Sequence, residues 1–424
     1  MHVHTLIIGG GLTGLSTAYH LEKAGHTDYL LVEKESVLGG LARSIERDRF
    51  IFDCSGHLLH LHTRQGKQLV RQLLPRNLAR LQRQAWIYTR GTYVPYPFQA
   101  HLFALPPQQQ KECLVGLQQA ARRTYSAPPK NFEQWCMRQF GKGIYKHFMR
   151  PYNTKLWGVS PRELTCEWCQ PFVPVPPTTA MTKPEENSRR KWGYNASFYY
   201  PKKGGCGALV QALANPLHHV RTGAPLIRLN LQTKTAVIGR QTVTFDRLVN
   251  TLPLASFITL LENEPKLQQK ARVLRAGAVN VYHLAVRGKV KPFHWVYFPD
   301  EDCPFYRVGQ QSAFSPKNAP RGCHSFYIEL PAHNRPSISL EKRIWKALLQ
   351  KGIIDNGAEK LFSFWQPISC AYVLYDKKRT RTVDFLLKVL QQRGCYCAGR
   401  YGRWEYSFME RSLLEGKYLA KELR

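Results

Sequence analysis

Residues 5 to 44, TLIIGGGLTGLSTAYHLEKAGHTDYLLVEKESVLGGLARS, restrict the possible folds of this chain more than any other stretch. An apolar run from Thr5 to Ile8 enters the glycine turn Gly9-x-Gly11-x-x-Gly14. A helical pattern follows, with Leu12, Leu15, Ala18 and Leu21 on one face and Gly25 placed as a C-cap. A second apolar run, Tyr29 to Val32, ends in Glu33. Strand, turn, helix and strand in this order, with an acid at the tip, is what a bound dinucleotide requires. The glycines let backbone N–H groups approach a pyrophosphate where the helix dipole favours negative charge, and Glu33 can accept from a ribose hydroxyl. The pattern predicts a dinucleotide site on Gly9, Gly11, Leu12, Thr13, Gly14, Glu33 and Lys34.

Directly after that strand stands Leu38-Gly39-Gly40-Leu41-Ala42-Arg43-Ser44. This second glycine pair resembles the GG motif of the flavoproteins with two dinucleotide-binding domains. That superfamily includes amine oxidases, phytoene desaturases, protoporphyrinogen oxidases and UDP-galactopyranose mutases. The resemblance implies FAD as the cofactor and adds Gly40, Leu41, Ala42 and Arg43 to its site. The glycines would let the chain pass close to the diphosphate while Arg43 supplies charge.

At 424 residues the chain exceeds one compact core, so two or three subdomains are expected. No apolar stretch is long enough to span a bilayer, and the N-terminal apolar run reads as the first strand rather than a signal peptide. Eleven cysteines in a leaderless chain imply reduced thiols and a cytoplasmic location. The 61 Lys and Arg against 29 Asp and Glu give a formal charge of +32. Such a charge suits a polyanionic substrate, peripheral association with an anionic membrane, or nucleic acid. The basic residues are dispersed, as on a solvated surface; the nearest thing to a charged loop is Lys183 to Lys191. Nothing resembles a nucleic-acid-binding module, so no nucleic-acid partner is expected. Cys166-x-x-Cys169 and Cys395-x-Cys397 read as structural thiols, and His57, His60 and His62 have no completing ligand set, so no metal is expected. The oligomeric state stays open.

The expected fold is α/β, a Rossmann-like FAD-binding domain of the glutathione-reductase type with an inserted helical and antiparallel-sheet substrate domain. Residues 1–65 form the first flavin segment. A mainly helical insertion covers 66–191, with helical runs at Gln68 to Leu74, Gln108 to Thr124 and Asn131 to Phe148. Residues 192–254 return to the flavin domain, opening on a strand-like Ser197 to Tyr200. An antiparallel substrate sheet occupies 255–365, and 366–424 close the flavin domain.

Later motifs narrow the family. Tyr93-Val94-Pro95-Tyr96-Pro97-Phe98-Gln99, Phe148-Met149-Arg150-Pro151-Tyr152-Asn153-x-Lys155-x-Trp157 and Trp192-Gly193-x-Asn195-Ala196 resemble UDP-galactopyranose mutase segments. So do Tyr297-Phe298-Pro299, Cys303-Pro304-Phe305-Tyr306-Arg307 and Gly399-Arg400-Tyr401-Gly402-x-Trp404-x-Tyr406. The matches run in order from residue 5 to about 420. The resemblance implies interconversion of the pyranose and furanose forms of a nucleotide sugar, through an adduct between reduced-flavin N5 and the sugar. It assigns His57, Arg307, Tyr372 and Tyr406 to catalysis, and Gln99, Asn153, Trp157, Asn195 and Tyr297 to substrate binding. Gly56, His57, Gly399 and Arg400 join the flavin site.

The sequence also departs from that pattern. Phe172 stands where the mutases carry a second diphosphate arginine, and their C-terminal asparagine–acid pair becomes Phe408 and Glu410. These positions favour an alternative, a flavin oxidoreductase of the amine oxidase or protoporphyrinogen oxidase type acting on a small substrate. A third reading is a basic, flavin-stabilised binding protein without catalysis, at a membrane surface or on nucleic acid.

Overall fold

The computed structural model describes residues 1–182 and 192–424; the charged stretch Lys183 to Lys191 lies outside the described residues. Two seven-stranded sheets organise the chain. In the first, β1 (His2–Ile8) lies between β2 (Tyr29–Val32) and β12 (Gln241–Asn250), parallel to both. The parallel edge strands are β9 (Val220–Arg221) beside β2 and β18 (Cys395–Cys397) beside β12. An antiparallel flap, β10 (Leu226–Asn230) and β11 (Thr235–Ile238), extends the other half of β12. Every residue of β1 from Thr5 to Ile8 and all of β2 is buried, because helices cover both faces of such a sheet. Each large apolar side chain buried there contributes roughly 1.5–3 kcal/mol.

The register fixes the functional edge. Ile8 pairs with Val32 and Asn250, and Asn250 with Cys397. The residues that follow, Gly9, Glu33, Thr251 and Gly399, therefore meet at the carboxyl ends of the strands, where ligands bind in open α/β sheets. The helix Leu12–Glu22 ends as its glycine predicts. Gly25 (φ +79°) closes it, with Gly25 N–H donating to Glu22 O (3.0 Å) and His26 N–H to Leu21 O (3.0 Å). The last helix, Met409–Glu422, lies directly on the first: a Cβ on Gly416 would stand 2.7 Å from Thr13 O.

The second sheet runs β17 (Glu359–Val373), β13 (Ala276–Arg287), β16 (Cys323–Pro331), β15 (Arg307–Gln310), β14 (Trp295–Tyr297), β6 (Ala85–Thr89) and β7 (Thr92–Pro95). It is antiparallel except for β14 and β6, which run parallel. The 66–191 region thus contributes strands to this sheet as well as helices, and β17 carries the sheet past residue 365. Ser197 to Tyr200 is a strand, β8 (Ser197–Pro201), but it pairs with β5 (Leu78–Gln82) and not with the flavin sheet. The hairpin of β3 (Ser44–Arg47) and β4 (Phe50–Asp53) leads into the loop holding His57.

The helical insertion follows its local signals. Asn131 caps the helix Phe132–Ile144 by accepting from Gln134 N–H (2.9 Å), and Pro107 opens the helix Pro107–Ala121. A π-helical turn at Tyr145–Met149 continues into Arg150–Trp157, which buries Asn153 and Trp157.

The structure gives the departure at Glu410 a structural role. Its buried carboxylate accepts from the N–H groups of His62 (2.9 Å) and Thr63 (2.9 Å) and from Thr63 Oγ1 (2.8 Å). Thr63 in turn caps the helix Arg64–Leu73 through Gly66 N–H (2.9 Å). Glu410→Ala strands several buried donors and should cost about 2–4 kcal/mol. Thr63→Ala removes one cap and should cost about 1 kcal/mol. Urea unfolding of the two variants checks the order.

Candidate active site

Gly9 adopts φ +103°, and a Cβ on Gly14 would stand 2.0 Å from Gly9 O, so strand end and helix start touch backbone to backbone. The helix begins without a capping side chain, leaving the first-turn N–H groups of Leu12, Thr13 and Gly14 without intrahelical acceptors. A Cβ on Gly11 meets nothing within 4 Å. Open space thus faces unspent N–H groups at the positive end of a helix. Glu33 is held at the strand tip by Gly10 N–H (2.8 Å) and Glu35 N–H (3.0 Å). Gly39 N–H donates to Gly10 O (2.7 Å), joining the second glycine turn to the first. Gly40, Leu41 and Ala42 form a short 3-10 turn that leads to a half-buried Arg43. Gly399 (φ +77°) closes over Thr13 from the end of β18. Lys34 is exposed and pairs with Glu35 at 3.5 Å. This cradle fits FAD: Gly11 and the first helical turn would hold its diphosphate, and Glu33 its ribose.

The substrate sheet builds the other wall. Arg307 pairs across the sheet with Tyr297 on one side and Glu329 on the other, so three adjacent strands present these side chains in one row. Glu329, 1 % exposed, forms an ion pair with Arg307 and accepts from Ser55 Oγ. Burial works against the Arg307 charge, but Glu329 together with Tyr372, Tyr327 and Tyr152 holds the guanidinium well above its usual range. Arg307 Nε and Glu329 Oε2 remain without partners.

Facing this row, Trp157 meets Tyr372 at 5.5 Å and Tyr406 at 6.0 Å, and the two tyrosines lie 5.9 Å apart. Tyr297 packs against Tyr96 at 5.2 Å and Tyr152 at 5.1 Å. Burial pushes the Tyr297 and Tyr372 hydroxyls up, so both stay neutral donors. Arg400 covers Tyr406 at 4.5 Å while donating to Ala371 O (2.8 Å), and its Nε is buried without a partner. Gly56, whose Cβ would meet Tyr327 Oη at 2.4 Å, lets the His57 loop pass close under the sheet.

Three of the expected substrate contacts are already engaged by protein. Asn153 donates to Met149 O (2.7 Å) and accepts from Trp157 Nε1 (3.2 Å), so it positions the tryptophan. Gln99 donates to Pro174 O and keeps a buried free oxygen, and Asn195 accepts from Arg83 Nη1 (2.5 Å). Phe172 packs against Tyr406 (4.2 Å), Phe408 (4.8 Å) and Tyr194 (5.6 Å). The two departures from the mutase pattern, Phe172 and Phe408, therefore form one aromatic cluster over the site. Sequence reasoning missed Glu329, Ser55 and Arg83. A single acid inside the apolar run Ser325 to Leu330 was the available signal for Glu329, because a carboxylate buried there needs a cation.

The buried histidines are held neutral. Burial, aided by the Arg400 charge, pushes His57 down to about 4; burial takes His60 to about 3 and His283 and His294 to about 4. Their ordinary value is about 6.5, so below that pH the unfolded chain binds protons that the fold refuses. Stability should therefore be fully present above about pH 6.5 and fall steadily towards pH 4. Chemical denaturation at stepped pH checks this, and a flat profile across that window would contradict it. Among the described residues no group of three or more His, Cys, Asp and Glu is placed to hold a metal, and no helix is long and apolar enough to cross a membrane. The eleven cysteines are unbridged, and burial pushes the Cys166 and Cys169 thiols up.

Comparison with known proteins accords with this geometry. The profile of the family described as flavin containing amine oxidoreductase matches residues 12–340. The structure of reduced UDP-galactopyranose mutase superimposes with a TM-score of 0.93 at 29% identity, covering 100% of this chain and 94% of that one. A putative protoporphyrinogen oxidase from an Exiguobacterium species shares the fold at a TM-score of 0.73 and 14% identity, covering 99% and 98% of the two chains. Cyclohexylamine oxidase from Brevibacterium oxydans does so at 0.71 and 13%, with the same coverage of 99% and 98%. An uncharacterized protein from the nifH2 3′ region of Methanothermococcus thermolithotrophicus is 44% identical over 54 residues, 13% of this chain and 51% of that relative's length. The chain thus spans about half of that curated relative. The fingerprint, the cradle and the family match together make this chain an FAD-dependent enzyme of the flavin-containing amine oxidoreductase family, similar in structure to UDP-galactopyranose mutase.

Proposed function

We propose that this enzyme interconverts the pyranose and furanose forms of a nucleotide sugar. The observation that carries the reading is the row Tyr297, Arg307 and Glu329 facing Trp157, Tyr372 and Tyr406. Neutral tyrosine donors around a fixed guanidinium suit a diphosphate whose negative charge grows as it leaves the sugar. When bound, FAD supplies the nucleophilic and electron-donating chemistry. The protein's own residues do the rest. Tyr297, Tyr372, Tyr406 and Arg307 hold the diphosphate, Glu329 and Ser55 fix Arg307, and Asn153 orients Trp157, which with the aromatic cluster keeps water out. His57, neutral at pH 7 and with a buried, unpartnered Nδ1, would stand beside the flavin.

The packing of Phe172 against Tyr406 and Phe408 favours a second reading, oxidation of a small apolar or amine substrate. The unbridged cysteines support a reducing, cytoplasmic setting. Titration of the oxidised holoenzyme separates the two functional readings. The mutase reading expects UDP to perturb the flavin absorbance while amines leave it oxidised. Anaerobic bleaching by an amine, with no response to UDP, would overturn it.

A further inference from the structure

The charges around this site do not balance: beside the paired Arg307 stand two cations in no ion pair among the described residues, Arg400 over Tyr406 and Arg83. Arg307 is neutralised by Glu329 at bonding distance, so the row on the substrate sheet carries no net charge. A bound diphosphate brings about two negative charges and needs a cation that the protein has not already spent. Arg83 is such a cation. Its Nη1 donates to Asn195 Oδ1 (2.5 Å) and its Nη2 to Tyr96 O (3.1 Å), both neutral acceptors. Among the described residues no carboxylate forms an ion pair with it, whereas many of the chain's other arginines have one. Its guanidinium lies 4.7 Å from the Tyr96 ring, and Tyr96 in turn touches Tyr297. Arg83 also lines an open cavity of about 390 Å³, shared with Trp86, Tyr96, His101, Trp192 and Pro292. A half-buried cation with neutral partners, beside Tyr96 and on the wall of an open cavity, is arranged to receive an anion.

We propose that Arg83 offsets the charge of the substrate's diphosphate, taking the phosphate oxygens that the already paired Arg307 leaves uncompensated. The inference rests on the nucleotide-sugar reading above. It also accounts for Phe172: with the second cation delivered from β5–β6, position 172 is free to be an aromatic lid. Burial pushes the Arg83 guanidinium down, with nearby Tyr96, Tyr297 and Tyr194 acting the other way.

Calorimetric titration of the FAD-loaded enzyme with UDP and with uridine tests this. Arg83→Gln should weaken UDP about 10- to 100-fold while changing uridine by no more than about 2-fold, because only UDP carries the charge. Arg83→Lys keeps a cation without the fork and should fall between wild type and Arg83→Gln; it also serves if the glutamine variant fails to load FAD. Equal losses for both ligands would mark Arg83 as merely structural and overturn the inference, as would UDP binding unchanged in either variant. Failure of the wild type to bind UDP would remove the nucleotide-sugar reading itself, a result separate from any variant.

Discussion

Gly14→Val should yield a protein that purifies without flavin. At this position a Cβ stands 2.0 Å from Gly9 O and 3.4 Å from Ile7 Cγ2. The obstruction is backbone, and the backbone cannot withdraw, because Gly9 is itself wedged at φ +103° against Thr251 Oγ1. Valine must push the helix away from the strand tip, moving the N–H groups of Leu12 and Thr13 out of reach of a diphosphate. A shift of this kind should cost at least about 100-fold in FAD affinity, with about 1–3 kcal/mol lost from the fold through overpacking. Gly11→Ala provides the contrast. Gly11 sits at φ −75° with nothing within 4 Å of its missing Cβ, so the apo fold should tolerate alanine. Its stability should stay within about 1 kcal/mol of wild type. The methyl would still occupy the space where the diphosphate lies, and FAD affinity should fall. Flavin-to-protein absorbance ratios and apo melting curves read both results. A flavin-replete Gly14→Val protein would contradict the assigned cradle.

Glu329→Ala should destabilise the protein by about 3–5 kcal/mol, the usual cost of stranding one partner of a buried ion pair. The carboxylate is 1 % exposed and serves both Arg307 and Ser55. Removing it leaves a buried guanidinium without a counter-ion and a hydroxyl without an acceptor. Glu329→Gln keeps the shape and one acceptor, so it should cost less than alanine. Urea unfolding with the midpoint and slope both measured checks the effect. A loss below about 1 kcal/mol would mean that Arg307 reaches solvent and that the row of charges is not closed.

Flavin binding was legible in the sequence because it depends on short-range pattern. Gly9, Gly11, Gly14 and Glu33 fix a strand, a turn and a helix within one local unit, and Gly25 ends the helix as its position suggests. The substrate wall was harder to read. Ser197 to Tyr200 announces a strand, yet nothing local says that its partner is Leu78 to Gln82, more than a hundred residues away. Ala85 to Thr89 alternates buried and half-buried residues before the turn at Arg90-Gly91, but helical runs on both sides obscured that strand. Tyr297, Arg307, Tyr372 and Tyr406 were found through family resemblance. Arg83 gave no signal, because the role proposed for it rests on neutral partners, Asn195 and Tyr96, that are visible only once the chain is folded. Phe172 and Phe408 appeared as two separate departures, and folding turns them into one cluster.

Mutase activity is decided by incubating the holoenzyme anaerobically with UDP-galactopyranose and, separately, UDP-galactofuranose. Each is tested with and without dithionite, and the products are separated by chromatography. Interconversion is expected in both directions with the reduced enzyme and not at all with the oxidised enzyme. No interconversion by fully reduced, flavin-replete protein would contradict the mutase reading.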